Sequence, residues 1–202
     1  MTITDDGALR DLYGTPSETA VNKQMSRLDG HCRSFIARSP FCVLGTSDAN
    51  GRCDTSPKGD APGFVQVLDD HTLLLPDRLG NNRLDSWQNV LANPQVAVIF
   101  FVPGVNETLR VNGKALLTTD EALLAPLAVR SRAPQSGLLV TVEEAFLHCA
   151  KALIRSDLWN PEKQIERKTL PSMGKMLSDQ IEGLTTEEAD QRTEKSLRER
   201  LY

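Results

Sequence analysis

From residue 41 to residue 149 the sequence changes grammar, and that change restricts the fold more than any composition figure. FCVLGTSD and RCDTSPKG are β-type runs on either side of Ala49-Asn50-Gly51, which carries the Asn-Gly signal of a tight hairpin. GFVQVLDD and HTLLLPD follow around an Asp69-Asp70 turn, and QVAVIFFV, ETLRVNGKALLTT and GLLVTVEEAFLHC complete seven runs. One helical pattern, RLDSWQNVLANP, falls between the fourth and fifth. It has Leu84, Trp87 and Leu91 at helical spacing and Asn93-Pro94 as its stop. EALLAPLAV reads as a short helix before the last strand. Short strands joined mostly by hairpin-like links predict a mainly β fold with flanking helices, an antiparallel barrel that is closed or partly closed.

The flanks read differently. SETAVNKQMSRL opens with Ser17 as an N-cap and repeats Val21, Met25 and Leu28 at helical spacing. DGHCRSFIARSP puts Cys32, Phe35 and Ile36 on one face and stops at Pro40. Beyond Leu158, Pro161 and Pro171 precede TTEEADQRTEKSLRERLY, whose mixed charges fit a solvated helix. The expected organisation is one domain over residues 1–202, with a helical extension at 1–40, a barrel at 41–159 and a helical tail at 160–202.

At 202 residues the chain can bury a real core, and its net charge of −4 argues against a nucleic-acid partner. No apolar run approaches the roughly 18 residues of a membrane span. MTITDDGALRDLYG has acids where a signal peptide carries bases, so a cytoplasmic location is expected. Cys32, Cys42, Cys53 and Cys149 form no CxxC pair and read as reduced structural thiols. In His31-Cys32 and His148-Cys149, neighbouring side chains on a strand would point to opposite faces, so no metal site is expected.

Four stretches concentrate hydrogen-bond donors. In LLPDRLGNNRLDSW, Asp77, Arg78, Asn81, Asn82 and Arg83 sit between a strand end and a helix start. Free backbone N–H groups and the positive end of the helix dipole favour an anion there, and arginine forks suit phosphate oxygens. The alternative is a polar loop whose asparagines cap the helix and whose arginines pair with Asp77 and Asp85. In DTSPKG, Ser56 and Lys58 share a strand face, with Thr55 and Pro57 on the other. A lysine beside a hydroxyl can hold a phosphate or a polarised carbonyl, or it can be an ordinary edge-strand lysine. LRVNGKA turns Leu109, Val111 and Ala115 one way and Arg110, Asn112 and Lys114 the other, a donor face with no acid in view. Finally, a helix beginning near His148 would align His148, Lys151, Arg155 and Trp159 on one stripe.

Taken in order, FCVLGTSDANGRCDTSPKGD, the stretch from GFVQVL to FFVPG, ETLRVNGKALLT and HCAKALIRSDLW resemble the pyridoxamine 5′-phosphate oxidase-like family of FMN-binding split β-barrels. More narrowly, they resemble its bacterial branch of probable FMN-dependent enzymes of undefined substrate. The resemblance implies FMN as cofactor, a homodimer with flavin sites at the interface, and an oxidoreductase. Thr55, Ser56, Pro57 and Lys58 would line the isoalloxazine ring and ribityl chain, and residues 77–83 would hold the phosphate. Arg110 and Asn112 would reach the flavin of the other subunit, while Lys151, Arg155 and Trp159 would close the pocket. The strand, phosphate-loop and C-terminal signatures of the vitamin B6 oxidase itself are not legible, so no particular substrate is implied.

The expected chemistry is hydride transfer between flavin and a small organic molecule, with NAD(P)H or oxygen as second redox partner. No residue stands out as an obligatory acid or base; His148 could serve, but a histidine next to a strand end is more often structural. The competing expectations are a non-enzymatic flavin carrier or sensor, and a haem- or deazaflavin-using protein on the same barrel.

Overall fold

The computed structural model describes residues 2–202. Its centre is one antiparallel sheet of seven strands: β1 (Phe41–Ser47), β2 (Cys53–Gly59), β3 (Gln66–Val67), β4 (Thr72–Pro76), β5 (Gln95–Phe101), β6 (Thr108–Thr118) and β7 (Gly137–His148). Their spatial order is β2-β1-β5-β6-β7-β4-β3. The sheet is not closed, because β2 and β3 form its edges and do not pair with each other. A split barrel is therefore the realised form, not the closed one.

Hydrophobic alternation sets the inner face. Cys42, Leu44, Val96, Val98, Phe100, Leu109 and Val111 are buried, and the β1–β5 and β5–β6 registers stack them in rows. The hairpin turn forms where Asn50-Gly51 placed it: the Asp48 carboxylate accepts from the N–H groups of Asn50 and Arg52, and Gly51 takes φ +79°. GFVQVLDD yields only the two paired residues of β3. Phe64 and Val65 before it are both buried, so the segment is a plug held by a turn at Gly63 (φ +79°) and not an alternating strand.

Of three helical expectations, two change. The first helix pattern breaks early: α1 (Asp6–Tyr13) buries nothing, and α2 (Glu18–Asn22) ends before Met25. Met25 instead exchanges both backbone hydrogen bonds with Ala145 of β7, so its apolar side chain serves the sheet and not a helix stripe. α3 (Gly30–Arg38) does bury Cys32 and Ile36 under an Asp29 N-cap. α4 (Asp85–Ala92) buries Ser86, Trp87 and Val90, whereas Leu84 and Leu91 are 48% and 75% exposed. The reason is the partner surface. Asn89 donates to Thr46 at 3.0 Å and Asn93 to Ser47 at 2.8 Å, which seats α4 on β1 through its polar edge.

Past β6, α5 (Glu121–Leu124) leads back towards β7. α6 (Lys151–Ser156) follows β7, and Asp157 turns left-handed directly after it. Then α7 (Met173–Gln180) and α8 (Thr186–Glu199) are tied through Asp190, which accepts from Ser172 Oγ and Gly174 N. α8 is charged and largely exposed, with a capping box formed by Thr185 and Glu188.

Candidate functional site

The donor-rich loop forms one wall of a cleft. β4 ends at Pro76, residues 77–84 cross over, and α4 starts with Leu84 as its N-cap in the left-handed region (φ 60°, ψ 21°). A leucine there offers no capping oxygen, so no side chain answers the first N–H groups of α4. Asn82 is left-handed as well, with φ 60°. Asn81 caps the loop and not the helix, its Oδ1 accepting from Arg83 N at 3.1 Å.

The opposite wall is β2. Its register against β1 pairs Lys58 with Cys42, Ser56 with Leu44 and Asp54 with Thr46, so these three side chains face inward towards α4. Lys58 Nζ lies 4.9 Å from the centroid of the Trp87 ring, and Ser86 donates to Asp54 at 3.4 Å. Trp87 is fixed in turn, its Nε1 donating to Ser136 at 3.0 Å. The cleft between the walls holds about 500 Å³ and is floored by Phe64 and Trp87. That volume is in the range of small-molecule sites.

Charge in the cleft is balanced. Burial pulls the Lys58 amine below its usual value, while Asp77, Cys42 and Asp54 pull the other way. Burial pushes the Asp77 carboxyl up, and Lys58 and Arg78 oppose it. The two arginines behave differently. Arg83 Nε bonds Asp85 at 2.7 Å and is 72% exposed, the pairing that the sequence left open. Arg78 pairs with neither Asp77 nor Asp85. Its Nε bonds the buried Asp60 at 2.6 Å and its Nη1 donates to the Leu127 carbonyl at 2.9 Å.

The candidate residues fall into three places. Ser56, Lys58 and residues 77–83 meet in the cleft. Thr55 and Pro57 border the cleft too, but Thr55 also joins Arg110, Asn112 and His148 on the outward face, in a shallow groove of about 350 Å³ with Val43, Ala97 and Ile99. Pro57 shares that outward direction, two residues along the strand. Lys151, Arg155 and Trp159 line neither. The expected stripe does not form, because β7 runs through His148 and α6 begins only at Lys151. Trp159 lies beyond the helix and donates from Nε1 to the Val105 carbonyl at 2.9 Å.

The donor face of β6 also differs from expectation, since acids reach it from β7. Asn112 donates to Glu144, Lys114 bonds Glu143 at 3.1 Å, and Arg110 stacks 5.1 Å from the Phe146 centroid. A bulge between Asn112 and Gly113 makes this possible, turning two consecutive glutamates towards the same strand.

Sequence reading missed the ring of Trp87 beneath Lys58, the buried Asp60, and Tyr202, whose hydroxyl donates to Asp60 across a separation of 142 residues. No local pattern could have paired them. Cys32 and Cys42 are buried thiols that desolvation pushes up to about 11 and about 12, as inert core groups should be.

In the comparisons with known proteins, no curated protein matches. Among solved structures, a variant of HupZ from Group A Streptococcus superposes with a TM-score of 0.50 at 19% identity, covering 60% of this chain and 99% of that one. Unmodified HupZ gives 0.49 at 20% identity, covering 59% and 92%. General Stress Protein 26 from Bacillus anthracis gives 0.42 at 16%, covering 56% and 88%. At these identities the likeness to HupZ speaks for the fold alone. The family pattern described as pyridoxamine 5′-phosphate oxidase matches residues 28–149, from the start of the buried α3 segment to the end of β7. The chain belongs to the pyridoxamine 5′-phosphate oxidase family.

Proposed function

We propose that the protein is an FMN-dependent oxidoreductase, cytoplasmic and homodimeric, acting on a small organic molecule with NAD(P)H or oxygen as second partner. The carrying observation is the cleft in which an uncapped α4 N-terminus, the asparagine-rich loop 77–83 and the inward Lys58 converge. A phosphate monoester fits that donor set. The helix start supplies backbone N–H groups and a positive dipole end, and Asn81, Asn82 and Arg83 add side-chain donors at its rim.

Magnitudes divide the labour between the arginines. An exposed ion pair such as Arg83–Asp85 contributes only about 0–1 kcal/mol, so an incoming phosphate can take the arginine. The buried Arg78–Asp60 pair would cost about 3–5 kcal/mol to break, so Arg78 shapes the loop and does not release to the ligand.

The flavin, when bound, would supply the hydride chemistry. Lys58 would hold a cation against the electron-rich side of its ring system, with Ser56 beside it as a hydroxyl donor. Partial burial strengthens that field relative to water, and Asp77 helps keep the amine protonated. Trp87 fixes the lysine from below and excludes water from the floor. Thr55, Pro57, Arg110 and Asn112 belong in this reading to the outward face that a second copy covers. Lys151, Arg155 and Trp159 are contributed across the same interface. Haem is the second reading. The feature that favours it is His148 beside Arg110 in the outer groove.

Titration with FMN tests the cleft. Lys58→Met combined with Arg83→Ala should weaken FMN binding at least about tenfold, near 1.4 kcal/mol. Unchanged affinity would remove the phosphate from this loop.

A further inference from the structure

The loop 77–83 is held from outside by a segment that no motif marked. Asp60 has a side chain only 3% exposed, and it accepts three hydrogen bonds: Arg78 Nε at 2.6 Å, Tyr202 Oη at 2.9 Å and Ala61 N at 2.7 Å. Two residues before Tyr202, Arg200 Nη2 donates to the Gly80 carbonyl at 2.7 Å. Tyr202 is itself anchored. Its carbonyl accepts from Arg132 Nη1 at 3.0 Å, and the Arg130 guanidinium stands 5.1 Å from its ring centroid. Arg200 and Tyr202 thus grip the loop at two points, its carbonyl at Gly80 directly and its Arg78 side chain through Asp60.

The loop has a reason to need this. Asn82 and Leu84 both sit at φ 60°, a conformation non-glycine residues adopt only where surrounding contacts impose it. Asn81 to Arg83 N is the only side-chain bond made inside the loop itself at residues 79–83. Behind the loop, on the side away from the cleft, lies a second cavity of about 490 Å³ walled by Val129, Pro134, Gln135 and Tyr202. Without the grip of residues 200–202 the loop would have room to relax into it. An anion site whose donors must first be ordered binds more weakly than one already in place.

We propose that Arg200 and Tyr202 are positioning residues for the loop 77–83, holding its donors in the arrangement that receives the phosphate of the cofactor. The proposal rests on the flavin reading for the identity of the ligand, but not for the grip itself. It predicts an effect confined to ligands that carry a phosphate.

The test uses the full chain with Tyr202→Phe, Arg200→Ala and, as rescue, Arg200→Lys. Dissociation constants are measured for FMN and for riboflavin, which lacks the phosphate. Hydrogen–deuterium exchange of peptides covering residues 77–84 is measured without flavin. Tyr202→Phe and Arg200→Ala should each weaken FMN by about tenfold, the scale of one charge-assisted hydrogen bond, and leave riboflavin within about twofold. Arg200→Lys should restore most of the difference. Exchange at 77–84 should rise severalfold while the β6–β7 peptides stay protected. An FMN-to-riboflavin ratio equal to wild type, or loop exchange that does not change, overturns the proposal. Faster loop exchange in a chain that takes up no FMN would keep the grip and discard the flavin reading instead.

Discussion

Asp60 shows how far one buried charge can organise a surface loop. Its carboxyl is desolvated, which opposes ionisation, yet the Ala61 N–H, the Tyr202 hydroxyl and Arg78 together hold it below the usual carboxylate range. A carboxyl depressed in the folded state contributes stability that is complete above its unfolded value, about pH 4. That contribution is lost as the pH falls through the lower folded value. Asp60→Asn removes the charge and leaves the half-buried Arg78 without its ionic partner, which should cost about 3 kcal/mol at neutral pH. Denaturant midpoints measured from pH 7 down to pH 2.5 should show the variant less stable throughout, and its loss below pH 4 shallower than in wild type. Equal midpoints and an identical acid limb would mean that the network is ornamental. Lys58 and Asp77 make a softer pair. Each is half-buried and each is shifted towards neutrality by burial, so the cleft presents them as adjustable partners and not as a locked bridge.

Among the elements, the β6–β7 ladder carries the most consequential irregularity. At the bulge, a Cβ built on Gly113 would meet the Thr141 carbonyl oxygen at 2.0 Å, closer than real side chains come. Gly113→Ala should therefore force the two longest strands apart locally and cost about 1–3 kcal/mol, a fall of several degrees in Tm for a chain this long. Thermal melts that coincide with wild type would contradict that. The same ladder marks where sequence reading succeeds and stops. Period-two alternation made β6 and β7 legible, because one face of each strand had to be apolar, and β5 was legible as a continuous apolar run. The bulge was invisible, since an extra residue alters pairing without altering composition, and with it went the acids that answer Asn112 and Lys114. α4 was placed correctly but rotated: a period of 3.6 reports an apolar stripe, whereas Asn89 and Asn93 dock this helix through amides. In the candidate site, Ser56 with Lys58 and residues 77–83 were readable as two separate donor-rich stretches, and only the family resemblance joined them. Asp60, Arg200 and Tyr202 were not, because only the fold brings them together.

At the scale of the whole molecule, an open sheet leaves two questions of coverage. The inner face is covered by α3, α4 and the Phe64-Val65 plug, whose buried side chains join one hydrophobic core. On the outer face Val43, Ala97 and Ile99 stay at least partly exposed around Arg110, Asn112 and His148, and Phe41 is 40% exposed beside them. In the proposed homodimer this face is covered by a second copy, which also brings Thr55 within the interface. No helix among the described residues is long and apolar enough to cross a membrane. Whether the α4 cleft holds FMN is decided by the absorbance spectrum of the purified chain, recorded after FMN is supplied and the excess removed. A cleft that holds FMN gives the two visible flavin bands, in a one-to-one ratio with protein and released on denaturation. A colourless protein, or a Soret band in place of the flavin bands, would contradict it.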